Sequence, residues 1–162
     1  SWAHNQDPEQ AEFTRGNAQG ESRLMFGRTT YDMMASFWPT PAAIQMMPEV
    51  ASAMNESPKI VASRTLTSAS WQNTTIATDL IAGARRLKSD SGPGIVILGS
   101  GSIVAQLMNA GLLDELQVML VPVSLGDGKP LFGGAHRRID WQTVETRTFK
   151  ATGNTFIRYQ PA

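Results

Sequence analysis

The chain contains no cysteine and only two histidines, His4 and His136. Disulfides, thiolate metal sites and cysteine nucleophiles are therefore excluded together, and no metal centre is expected. An excess of charge is missing too, because lysine plus arginine and aspartate plus glutamate each number 14. No net field draws the protein to nucleic acid or to an anionic membrane, so any anion site has to be local. Long apolar runs are absent: none approaches the roughly 20 residues of a membrane span, and Ser1-Trp2-Ala3-His4-Asn5 is no signal peptide. The simplest expectation is a cytoplasmic protein with neither a nucleic-acid nor a membrane partner. Internal repeats, low-complexity tracts and dividing linkers are also lacking, so the 162 residues are expected to form one domain.

What the sequence does have is the run Gly94-Ile95-Val96-Ile97-Leu98-Gly99-Ser100-Gly101-Ser102-Ile103. Ile95 to Leu98 is β-branched and apolar on both faces, the pattern of a buried parallel strand. Gly99 and Gly101 permit close backbone approach, and Ile103, Leu107, Met108 and Leu112 then recur at helical spacing. A strand that enters a helix through such a turn aims free N–H groups at whatever lies above it, which favours an anion such as a pyrophosphate. Taken alone the motif equally fits a plain strand-to-helix connection. It lacks the Gly-Lys-Ser/Thr ending of a P-loop, and Val104 stands where a Rossmann fingerprint has its third glycine.

Strand and helix signals alternate along the first two thirds of the chain. Asp7-Pro8-Glu9 reads as the capped start of a helix fraying near Gly16 or Gly20. Leu24-Met25-Phe26 reads as a strand ending at Gly27-Arg28-Thr29-Thr30, followed by a helical stripe of Tyr31, Met34 and Phe37 closed by Trp38-Pro39. A helix near Glu49 to Asn55 precedes a strand over Lys59 to Ser63, then a short strand Thr74 to Ala77 and a helix capped by Asp79. After Gly111 the pattern turns to strands: Glu115 to Val123, then Thr143 to Phe149 and Thr155 to Tyr159 as an antiparallel hairpin around Ala151-Thr152-Gly153-Asn154. The order is that of an α/β protein with a mixed sheet. Met33, Met34, Met46 and Met47 read as core filler, and His136-Arg137-Arg138 as a solvated turn.

Three segments carry a resemblance: Phe26-Gly27-Arg28-Thr29-Thr30-Tyr31, Lys59-Ile60-Val61-Ala62-Ser63-Arg64-Thr65-Leu66, and Ile97 to Leu116, which includes Ala110-Gly111-Leu112-Leu113-Asp114-Glu115-Leu116. Pro122 to Phe132 and Phe156-Ile157-Arg158-Tyr159 continue it. Over nearly the whole chain, in order, the sequence resembles the dihydrofolate-reductase superfamily, and within it the branch similar to the reductase domain of bacterial riboflavin biosynthesis. The resemblance implies a mixed, mostly parallel sheet flanked by helices with a C-terminal antiparallel hairpin. It also implies an NADPH site walled by Gly27, Arg28, Thr29 and Thr30, by Ser63, Arg64 and Thr65, and by Gly99, Ser100, Gly101, Ser102 and Ile103. Arg28 offers a planar fork for phosphate oxygens, and Ser63 with Arg64 would suit a 2′-phosphate. Singly, the arginines read better as ordinary surface residues and the threonines as ordinary caps; it is three such turns in register that favour the cofactor site.

The implied chemistry is hydride transfer from NADPH to a small substrate, either a pterin- or ribosylaminopyrimidine-like heterocycle or a carbonyl. The alternative is a non-catalytic NADPH-binding or sensor protein on the same fold. Asp7, Glu9 and Glu12 lie on a helix that in this superfamily borders the substrate cleft, but acidic residues in a first helical turn serve the helix dipole, so no catalytic residue is assigned. Relatives in that branch commonly pair, so the resemblance implies a homodimer, with the apolar C-terminal strands and Leu131-Phe132 as candidate surface; Val118, Leu120 and Phe156 equally fit ordinary core on an alternating strand. Two departures matter. Val121-Pro122 stands where dihydrofolate reductases place Thr-His, which argues against folate. The family's first strand, of Ser-Leu-Asp-Gly-like sequence, would precede Trp2. Either an N-terminal piece of roughly 20 to 30 residues is lacking or another segment replaces it, because an open central slot leaves ladder groups unpaired.

Overall fold

The computed structural model describes residues 7–18 and 21–162. In chain order it contains α1 (Pro8–Ala18), β1 (Arg23–Gly27), α2 (Arg28–Phe37), α3 (Pro41–Met46), α4 (Pro48–Glu56), β2 (Lys59–Ala62), β3 (Thr74–Ala77), α5 (Leu80–Ser89), β4 (Ile95–Ile97), α6 (Gly101–Asn109), β5 (Leu116–Leu120), β6 (Trp141–Thr148) and β7 (Thr155–Pro161). The mixed α/β class expected from the sequence is observed. The strands divide between a four-stranded sheet, ordered β3-β2-β1-β4, and a three-stranded sheet, ordered β5-β7-β6. All pairings in the first are parallel and both in the second are antiparallel.

Alternation along β1 and β2 builds a core on each face of the parallel sheet. Leu24, Phe26 and Val61 pack with Tyr31, Met54 and Trp71 on the side of α2 and α4. Met25 and Ile60 pack with Ala84, Ile103 and Leu107 on the side of α5 and α6. A strand buried on both faces needs such unbroken apolar sequence, and crossover helices cover each face.

Polar groups inside this core are partnered. Tyr31 Oη accepts from the Trp71 backbone N–H at 3.0 Å, and Trp71 Nε1 donates to Asn55 Oδ1 at 2.7 Å. Lys59, 1% exposed, donates from Nζ to the carbonyls of Met54, Asn55 and Ser57 at 2.8–2.9 Å, and its ammonium lies 4.5 Å from the Trp71 ring centroid. It thereby closes the C-terminus of α4, whose last carbonyls would otherwise be orphaned. Burial pushes its pKa down to about 8.

Helix α1 packs on the second sheet. Phe13 meets Phe149 and Phe156 at ring-centroid distances of 5.6 and 4.7 Å. Asp7 caps the helix, accepting from the N–H groups of Glu9 and Gln10, as the Asp7-Pro8 signal implies.

Several expectations need correction. Met33, Met46 and Met47 are exposed, and Met34 alone of the four packs on a core cluster, because α2 and α3 turn the other three outward. Helix α3 gave no recognisable periodicity in its six residues, but Thr40 caps it and Pro41 starts it. The strand expected over Glu115 to Val123 stops at Leu120, where Pro122 has no N–H to donate and Val123 N–H turns back to the Val121 carbonyl. The run Ile95 to Leu98 is an edge strand rather than one buried on both sides, and Val96 is 41% exposed.

Candidate functional site

Strands β2, β1 and β4 are consecutive in the sheet, and their registers level their C-terminal ends: Gly27 aligns with Ala62, and Met25 with Ile97. All three turns singled out in the sequence therefore emerge along one edge. In parallel α/β sheets, the crevice at the C-terminal strand ends is where ligands bind.

Ser100 joins two of these turns. Its Oγ accepts from the Gly27 backbone N–H at 2.8 Å and donates to Thr30 Oγ1 at 3.0 Å. Ser100 adopts φ +55° and ψ +56°, a left-handed conformation that is rare for a residue with a Cβ, and Gly99 before it has φ +61°. Space at Gly27 is tight, since a Cβ there would lie 3.3 Å from Ile103 Cγ1 and 3.4 Å from Ser100 Oγ. Gly101 is different, because a Cβ there would meet nothing within 4 Å. That open space lies directly over the start of α6.

The helix starts differ in how they are satisfied. Asp7, Thr40 and Asp79 accept backbone N–H groups at the starts of α1, α3 and α5, whereas α4, opened by Pro48, has no side-chain cap. Helices α2 and α6, which begin at the paired turns, have no side-chain cap. Their first N–H groups remain available as anion donors, and the two dipoles add at one place.

The remaining predicted residues are disposed as follows. Arg28 Nε donates to Asp32 Oδ2 at 2.6 Å, which leaves the outer guanidinium nitrogens free of a carboxylate among the described residues. Ser63 lies one residue beyond β2, where its N–H donates to the Ala77 carbonyl and its Oγ accepts from the N–H groups of Thr65 and Leu66. Arg64 and Thr65 are exposed, and Arg64 makes no ion pair among the described residues. Thr29 is exposed, whereas Ile103 is buried in the α5–α6 side of the core and serves as a wall rather than a donor. Sequence reasoning treated Ser100 as one donor among five; its bridging of both turns depends on a pairing of β1 with β4 that no local pattern displays.

The acidic residues of α1 have structural work. Asp7 is buried as the cap, and Glu9 pairs with Arg147 at 2.9 Å. Among the described residues no group of His, Asp and Glu side chains is arranged to hold a metal ion, and no helix is long and apolar enough to cross a membrane.

Fold and site together define an α/β protein in which two helix starts without side-chain caps lie at adjacent strand ends. The sequence profile of the RibD C-terminal domain family matches residues 2–153, and the chain belongs to that family. The uncharacterized protein YyaP of Bacillus subtilis (strain 168) is 30% identical over 128 residues, covering 79% of this chain and 68% of that protein. A putative riboflavin biosynthesis protein from Shewanella sp. PV-4 has a similar structure, with TM-score 0.75 and 22% identity over 99% of this chain and 86% of that one. Dihydrofolate reductase from Enterococcus faecalis, solved with NADP(H) and RAB-propyl, is similar at TM-score 0.58 and 17% identity, covering 95% and 82%. The chain therefore has a reductase-type fold.

Proposed function

We propose that the protein is an NADPH-dependent reductase that delivers hydride to a small heterocyclic, pterin- or ribosylaminopyrimidine-like, or carbonyl substrate. The observation that carries this reading is the pair of uncapped helix starts, α2 and α6, held side by side by Ser100. Family membership supports it.

The residues present fit the cofactor. The N–H groups opening α2 and α6 would take the pyrophosphate, with the vacant space over Gly101 admitting its oxygens. Arg64, just beyond β2 and without an ion pair among the described residues, would take a 2′-phosphate, helped by the Ser63 hydroxyl, which still has a proton to donate. The chemistry supplied by bound NADPH is hydride donation from the nicotinamide C4. The protein's part is to hold the acceptor against that carbon and to keep water out. The proton for the reduced atom is left unassigned to a side chain, since Asp7 is committed to its cap and Glu9 to Arg147.

NADPH titration followed by thermal melting tests the binding half. Saturation at about a hundred times the dissociation constant raises stability by about 2.7 kcal/mol, and an unchanged melting temperature would reject the reading. Consumption of NADPH at 340 nm in the presence of pterin, ribosylaminopyrimidine and carbonyl compounds tests the catalytic half. Binding without turnover on any of them would favour a sensor. Pairing of two copies through exposed Leu120, Leu131 and Phe132 is part of the proposal, and a monomeric mass by light scattering at high micromolar concentration would remove it. Phe156 is core, at 5% exposure, and takes no part.

A further inference from the structure

Arg28 stands where a helix disfavours a cation. It is the first residue of α2, next to the N–H groups that carry the positive end of the helix dipole, and no acidic residue occupies the first turn to offset it. Asp32 follows four residues later. A base followed by an acid at that spacing is the weaker of the two orders for an ion pair along a helix, because each charge sits toward the wrong pole. Both side chains are exposed, at 44% and 51%, so solvent weakens the contact further. The pair also ties no elements together, unlike Arg23–Asp90, Lys88–Asp114, Arg147–Glu9 and Arg158–Glu115, each of which joins distant parts of the chain. Neither the helix nor the tertiary packing gains from Arg28 and Asp32 at these places, and local rules of this kind are broken chiefly at functional sites.

The geometry of the contact supplies the missing reason. Arg28 Nε donates to Asp32 Oδ2 at 2.6 Å, while neither Nη group bonds a partner among the described residues. A guanidinium is planar, so a bond at Nε sets the direction of the whole group and leaves the Nη edge, a pair of parallel N–H donors, for a second planar partner. The backbone is fixed as well. Gly27, immediately before Arg28, donates its N–H to Ser100 Oγ at 2.8 Å, at the bridge between the starts of α2 and α6. Arg28 is thereby held through its neighbour's backbone by Ser100 and at its head group by Asp32, where the two uncapped helix starts meet.

We propose that Asp32 is a positioning residue, whose carboxylate orients the Arg28 guanidinium so that the Nη edge takes a phosphate group of a bound dinucleotide. A lone arginine at this exposed place gives up the freedom of a long side chain on binding, and the bond to Asp32 removes part of that freedom beforehand. The role rests on the cofactor reading above. To that reading it adds an acidic residue that favours anion binding, although its own charge repels an anion.

That opposition of sign supplies the test. If Asp32 acted through its charge alone, Asp32→Ala would tighten dinucleotide binding, since it removes a negative charge beside the site. Positioning requires the reverse. Isothermal titration should show NADPH bound about three- to fivefold more weakly by Asp32→Ala than by wild type. The melting temperature without ligand should stay level or rise, because alanine is the better helix former. Asp32→Glu, which keeps a carboxylate within reach of Nε, should hold affinity to within about twofold of wild type. Arg28→Ala should weaken binding about tenfold or more, and in its background Asp32→Ala should cause no further loss. Titration with NADH identifies the phosphate: an equal loss with both dinucleotides places Arg28 on the pyrophosphate, and a loss confined to NADPH places it on the 2′-phosphate. Affinity unchanged or improved in Asp32→Ala, a glutamate variant no better than the alanine one, or a loss that persists without Arg28 overturns the role of Asp32 and leaves the cofactor reading standing. Wild-type protein that binds neither dinucleotide overturns that reading and this role with it.

Discussion

Ser100 Oγ lies 2.8 Å from the Gly27 backbone nitrogen, across 73 residues of sequence, and this contact makes one site of two turns. Gly27 ends β1 and Ser100 precedes α6, so the bond fixes the start of one helix against the start of the other. The hydroxyl is spent on this bridge and does not cap α6. Ile103 N–H donates to the Ser100 carbonyl at 2.8 Å, while the N–H groups of Gly101 and Ser102 stay open at the start of α6, which is the arrangement an anion requires.

Replacing Ser100 therefore has two opposed effects. Ser100→Ala removes the acceptor of a half-buried N–H while keeping a Cβ in the left-handed region, and should destabilise by about 1–2 kcal/mol. Ser100→Gly loses the same bond but relieves backbone strain of about 1 kcal/mol. Chemical denaturation should thus rank wild type above Gly and Gly above Ala. An alanine variant as stable as the glycine variant would show that the left-handed geometry is not maintained in solution.

Gly101→Val tests the cradle without disturbing its support. The added side chain meets no protein atom at its Cβ, so the apo protein should lose no more than about 1 kcal/mol. It does fill the space over α6, and NADPH affinity should fall at least about tenfold, roughly 1.4 kcal/mol. Isothermal titration of a folded variant decides it, and unchanged affinity would show that no phosphate sits there.

Much of the fold was legible in the sequence where local chemistry dictates it. The continuous apolar runs of β1 and β2, the Asp7 and Asp79 caps and the alternation in the C-terminal hairpin are local signals, and each appears where it was read. The span of β3 and the end of α2 before Pro39 followed from the same logic. The edge position of β4 was not legible, since Ile95 to Leu98 reads the same whether its outer partner is present or not. Register was equally hidden, and with it the role of Ser100, because the distance between the two turns depends on which strands become neighbours. The methionines misled for another reason. Met33 and Met34 are neighbours on α2, so at helical spacing they point to different faces and the pair alone does not show which one turns inward.

Arg64→Ala tests the cofactor preference. Arg64 is exposed at the end of β2, with no carboxylate partner among the described residues, so its truncation should leave stability within about 0.5 kcal/mol of wild type. A charge-assisted bond to a 2′-phosphate is worth about 1.5–3 kcal/mol, so NADPH affinity should fall roughly ten- to hundredfold while NADH affinity stays put. If the ratio of the two affinities survives the substitution, the 2′-phosphate is read elsewhere, and Arg28, tethered through its Nε to Asp32, becomes the residue to test next.

Lys59→Met asks what a buried ammonium contributes when its partners are all carbonyls. Methionine matches the stem of lysine but donates to none of the Met54, Asn55 and Ser57 oxygens that Nζ now serves, so α4 is left with unsatisfied groups at its C-terminus. The expected loss is about 2–4 kcal/mol. The pH dependence identifies the cause. Burial brings the folded-state pKa down to about 8 from the ordinary lysine value of 10.5, so between those two values the unfolded chain binds the extra proton and the stability of the wild type gains with rising pH. Below about pH 8 both states are protonated and this gain is absent. The methionine variant has no such proton. The gap in denaturation midpoint between wild type and variant should therefore widen from pH 8 toward 10.5, and a constant gap across that window would show that the three carbonyls hold the ammonium at its ordinary pKa despite its burial.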